Sequence, residues 1–175
     1  MDRTSGIARG SSRNTVREVA APAAAREFCT LTRIDHEDAW LIEIGSPDGR
    51  TAEQWARAIL EDAPLTTRTS LLAGWSALGL KVGRDRSGPS VLGWPVRAGT
   101  PDIVLLGAGS HIGMPGQLLV KRERDGLLFC TFVHHHNHVA RAVWAAVEAA
   151  HMRVVRDVLE EAGRRLRSTG PEARA

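Results

Sequence analysis

From Asn137 to Leu166 the chain contains no proline and a single glycine, Gly163. Ala140, Trp144, Val147, His151, Val154, Val158 and Ala162 recur there at three- and four-residue steps, while Arg153, Arg156, Asp157, Glu160 and Arg164 take the other side. That period is the mark of one long amphipathic helix, with Asn137 as a residue of the N-cap type. An apolar stripe of this length needs a surface to cover, so the rest of the chain must build one.

The preceding residues supply it as strands. "DAWLIEI" places Trp40, Ile42 and Ile44 on one face against Leu41 and Glu43. "VLGWPV", "DIVLLGAGS", "GQLLVKRER" and "GLLFCTFVHH" read as four further strands, and the last three are joined by short turns carrying Gly113, Pro115 and Gly116, then Asp125 and Gly126. Consecutive hairpins make an antiparallel sheet. Between the first strand and this meander lie two short helices. Thr51 with Gln54 three residues on forms a capping box before "AEQWARAIL". "LTTRTSLLAGWSALGL" sets Leu71, Trp75 and Leu78 at helical spacing, with Gly79 as its stop. "KVGRDRSGPS" reads as a loop.

The layout is α+β, with helices segregated to one side of an antiparallel sheet. The expected organisation is one domain over 28–167, a mobile tail over 1–27 holding at most one helical turn near Val16–Val19, and a short tail over 168–175 beginning where Gly170 and Pro171 end the helix.

This order of elements resembles the helix-grip fold of the START-like, birch-pollen-allergen-like superfamily, also labelled SRPBCC, whose bacterial members include polyketide cyclase/dehydrase and lipid-transport proteins. The resemblance spans about Ile34 to Leu166. It is carried by "TAEQWARAIL", "LGL", "LGWPV" and the run from "LLFCTFVHHHNH" into the last helix, with Trp55, Gly93, Trp94, Thr131, Asn137, Arg141, Trp144 and His151. It is closest to a branch without an assigned activity. It implies a curved sheet gripping the long helix around a cavity, and carries over no catalytic residue.

The expected occupant of that cavity is a hydrophobic or amphipathic small molecule, lipid- or polyketide-like. Trp75, Trp94 and Trp144 are the expected aromatic walls, with Arg141 and His151 as polar anchors. The alternative is a cyclase-, aromatase- or isomerase-type enzyme in the same cavity, with His151 moving a proton as the weak catalytic candidate. Its partner is missing from the sequence reading: Glu43, Asp102, Glu123 and Asp125 all read as solvated carboxylates.

Four of the seven histidines crowd "HHHNH", 134–138. In an extended chain His134 and His136 share a face with Cys130 and Phe132, while His135 joins Thr131 and Val133. Phe132, His134 and His136 are expected at the mouth of the cavity. A metal site is not expected here, because His138 and His151 stand nearly four helical turns apart and His134 with His136 lacks a third ligand. No cofactor is implied.

Other motifs close off other chemistries. Ser110 and His111 are strand neighbours on opposite faces, which rules out a nucleophile–base pair. Gly107 and Gly109 precede no helix, so a phosphate loop fails on context. The basic residues are 21 Arg and 2 Lys, which reads as the codon bias of a GC-rich bacterial genome. They crowd the ends, as in Arg3, Arg9, Arg13 and Arg17, then Arg164, Arg165, Arg167 and Arg174. The pI near 9.5 therefore does not point to nucleic acid. Cys29 and Cys130 have no metal or redox spacing and read as reduced cytoplasmic thiols. No run of some 18 apolar residues spans a membrane, and the N-terminus lacks the apolar core of a secretory signal.

Overall fold

The structure is a computed structural model that describes residues 16–47, 49–83 and 88–168. Its strands are β1 (Val16–Val19), β2 (His36–Glu43), β3 (Ser90–Val91), β4 (Trp94–Gly99), β5 (Ile103–Ala108), β6 (Gly116–Glu123) and β7 (Gly126–Val133). They form one antiparallel sheet in the order β1-β2-β7-β6-β5-β4-β3. The helices are α1 (Ala23–Phe28), α2 (Ala52–Leu60), α3 (Leu65–Ala77) and α4 (His138–Ser168). This is the expected α+β class and the helix-grip layout: a curved antiparallel sheet, helices between β2 and β3, and a long C-terminal helix.

Local chemistry explains the boundaries. Thr51 caps α2 with both halves of its capping box, accepting from the Gln54 amide while the Gln54 side chain accepts from Thr51 N–H. Asn137 starts α4 by accepting from Ala140 N–H at 2.8 Å, and its amide nitrogen donates to the Ile112 carbonyl at 3.0 Å. α4 is thereby tied to the β5–β6 connection.

Two details depart from the expected strands. "VLGWPV" is a tight hairpin rather than one strand, because Leu92 and Gly93 both take positive φ, 44° and 83°. A side chain at Gly93 would also meet Gly83 N at 2.9 Å. Gly126, read as a turn residue, instead opens β7 and pairs with Glu43 and Glu123. A Cβ there would collide with the Ile42 carbonyl, so its glycine serves the close approach of β2.

The expected N-terminal tail needs the larger correction. Val16–Val19 pairs with Ala39–Ile42 as an edge strand, and α1 with the residues up to Ile34 covers the sheet face turned away from α4. Ala21, Ala25, Phe28, Leu31 and Ile34 pack there on Leu105, Leu119, Leu128, Cys130 and Phe132. Arg26 forms a two-pronged ion pair with Glu37, and Gln117 exchanges hydrogen bonds with Thr30. The segment lacks helical or strand period because its small and apolar residues fit a surface made by other strands. Residues 1–15 and 169–175 lie outside the described residues.

The sheet is consequently buried on both faces. Every residue of β7 is buried. Leu127 and Phe129 face the helices with Trp40, Ile42, Leu118 and Val120, while Leu128, Cys130 and Phe132 face α1. Among the described residues no helix is long and apolar enough to cross a membrane.

Candidate functional site

α3 does not close fully on its surroundings. Of Leu71, Trp75 and Leu78, only Leu71 is buried, and Trp75 and Leu78 remain half-buried. The gap between α3, α4 and the sheet is a cavity of about 600 Å³. Leu71, Gly74 and Trp75 line it from α3, Val147, His151, Val154 and Val158 from α4, and Leu118 and Phe129 from the sheet. Thr66, Thr67, Ser70 and Asp157 add polar groups. Val154, on the apolar stripe of α4, is 46% exposed because it borders this open groove.

Of the expected site residues, Trp75 and His151 line the cavity. Trp94 sits behind Trp75, buried and edge-on to it at 5.3 Å between ring centroids. Trp144 is buried beneath the start of α4 with Met114, Val133 and Ala140, away from the cavity lining. Arg141 is exposed. Phe132, His134 and His136 do not line the cavity. Phe132 lies in the core under α1, and His134 Nδ1–H donates to the Arg33 carbonyl at 2.8 Å, with the exposed His136 ring edge-on to it. The alternation was right, but the opposite set turns inward: Thr131, Val133 and His135.

The inward set leads to a polar cluster that sequence reasoning missed. On β2, His36, Asp38, Trp40 and Ile42 share the face beneath α4. His151 Nε2 lies 2.8 Å from Asp38 Oδ2, and His36 Nε2 lies 3.2 Å from the same oxygen. Trp40 Nε1–H donates to Asp38 Oδ1 at 2.8 Å. His36 Nδ1 reaches Glu148 Oε1 at 3.0 Å. The Trp144 ring packs on both imidazoles, at 4.5 Å from His36 and 5.0 Å from His151.

The Asp38 side chain is 1% exposed. Burial by itself pushes its carboxyl up, but hydrogen bonds from His151, His36 and Trp40 outweigh that and hold it at about 2. Asp38 is thus an anion inside the protein, compensated only by the groups that touch it. Burial pushes the neighbouring His135 imidazole below its ordinary range.

Three polar atoms around this cluster are buried without a hydrogen-bond partner: Thr131 Oγ1, His135 Nε2 and Trp144 Nε1. Thr131 stands directly opposite Asp38 in the β2–β7 register, and the His135 ring is 5.9 Å from Trp144. The thiols take no part. Both cysteines belong to the cluster under α1, and burial pushes Cys130 up to about 12.

A signal for Asp38 was present in "HEDAWLIE". The alternation that sends Trp40 and Ile42 inward sends Asp38 and His36 inward too, and a carboxylate on the apolar face of a strand requires a partner. No protein-family model, curated protein or solved structure matches the chain.

Proposed function

We propose that this protein binds a hydrophobic or amphipathic small molecule in the cavity between α3, α4 and the sheet, as a START-like helix-grip protein. The supporting observation is the cavity itself: about 600 Å³, walled by Leu, Val, Phe and Trp side chains with a few polar groups at its edges. Clefts of about 300–1,000 Å³ with that mixture are the usual form of small-molecule sites. The half-buried Trp75 and Leu78 support the same reading, since apolar side chains left open along a cavity gain from an apolar occupant.

Gly74 offers a clean test. It lines the cavity from mid-α3, and a Cβ added there meets nothing within 4 Å. Gly74→Phe fills the groove without backbone strain. Displacement of a fluorescent fatty-acid probe, followed with a panel of lipids, polyketides and flavonoids, should show at least tenfold weaker binding in the variant and an undiminished melting temperature. Equal affinities in the two proteins, or no binding of any probe by the unmodified chain, would remove the cavity as the site.

A second reading has one observation in its favour. His151 lines the cavity with its Nε2 held by the buried Asp38, an arrangement that suits an acid or base in a cyclase- or isomerase-type enzyme. Turnover of a polyketide-like substrate that is abolished in His151→Gln, with binding retained, would favour it.

A further inference from the structure

We propose that His36, Asp38 and His151 form a site for one divalent transition-metal ion of the zinc type, set beside the apolar cavity. This inference goes beyond the cavity reading and does not depend on it. One ligand atom from each of the three residues lies within 4.8 Å of the others. Metal–ligand bonds of about 2.0–2.1 Å put neighbouring ligand atoms roughly 3.0–3.4 Å apart. The His36–Asp38 and His151–Asp38 separations, 3.2 and 2.8 Å, already stand near that spacing. Two imidazoles and one carboxylate suit zinc, iron and their neighbours, and leave positions open for water or a ligand.

The outer contacts carry the argument further. The second ring nitrogen of His36 faces Glu148, and the second oxygen of Asp38 is held by Trp40. Metal-binding histidines and carboxylates are commonly oriented in this way by a partner on their remaining polar atom. Near the cluster, Thr131 Oγ1, His135 Nε2 and Trp144 Nε1 are buried without a hydrogen-bond partner. A metal ion carrying water would place positive charge on the buried Asp38 carboxylate and offer hydrogen-bond partners to buried groups of that kind. Entry is available, since His151 borders the cavity and the Glu148 side chain is half exposed.

The conspicuous surface pair, His134 with His136, is the competing explanation for any metal uptake, and the test separates the two. The full chain is stripped with a chelator, titrated with Zn²⁺ by calorimetry, and titrated with Co²⁺ by visible absorption. One equivalent per chain is expected. His151→Gln should weaken it more than 100-fold with the circular dichroism spectrum unchanged. Glu148→Gln, which alters only a half-exposed side chain, should weaken it about tenfold. His134→Ala with His136→Ala should leave it intact. Failure of the unmodified chain to bind one equivalent at micromolar concentration overturns the proposal. So does a site that survives Glu148→Gln and His151→Gln unchanged and disappears in the double variant.

Discussion

Trp144 packs near two groups of imidazoles, and they came about in opposite ways. His134, His135 and His136 are consecutive, and the backbone scatters them: the outer two lean toward Arg33 and solvent, and the middle one is buried against Trp144. His36 and His151 lie more than a hundred residues apart, and the fold brings them onto one oxygen of Asp38. Proximity in the chain separated side chains because an extended backbone alternates them. Distance in the chain joined them because β2, next to the edge strand β1, lies beneath α4. A dense run of one residue type is therefore a poor guide to a site when it falls on an extended segment.

The comparison can be broken by stability measurements on single variants, using chemical denaturation. Asp38→Ala should cost the most, about 3–5 kcal/mol, because it leaves Trp40 Nε1–H and two inward imidazoles without their acceptor. His135→Ala should cost about 2 kcal/mol, as the removal of a buried ring packed near Trp144. His134→Ala should cost about 1 kcal/mol for its contact with the Arg33 carbonyl. His136→Ala, an exposed ring, should stay within about 0.5 kcal/mol. A larger loss for His136→Ala than for His135→Ala would reverse the assignment of faces. A negligible loss for Asp38→Ala would remove the cluster as a structural unit.

The two faces of the sheet explain why part of this was unreadable. Along β7 the residues Leu127 to Val133 are apolar or small on both sides, so the alternation separates two sets without saying which set meets α4. Phe132, His134 and His136 do not line the cavity, and α1 with the segment to Ile34 buries the far face of the sheet as α4 buries the near one. That covering segment was itself invisible. Val16–Val19 and the alanine-rich stretch after it have no strong period and are held by pairing with β2 and by packing on β5–β7. Asp38 was legible in principle from its parity with Trp40 and Ile42. Its meeting with His151 was not, because no local pattern connects residues that far apart.

By itself the sequence determined the α+β class, the antiparallel meander, the capping box of α2, the cap at Asn137 and the long amphipathic helix. Each follows from spacing within a few residues, where backbone geometry alone sets which side chains share a face. Only the tertiary structure decided which face of the sheet looks inward, that α3 stands off to leave a cavity, and that His36, Asp38 and His151 converge. Those depend on contacts between elements far apart in the chain, where the energy of burial and of pairing a buried charge is settled by the whole fold rather than by any one segment.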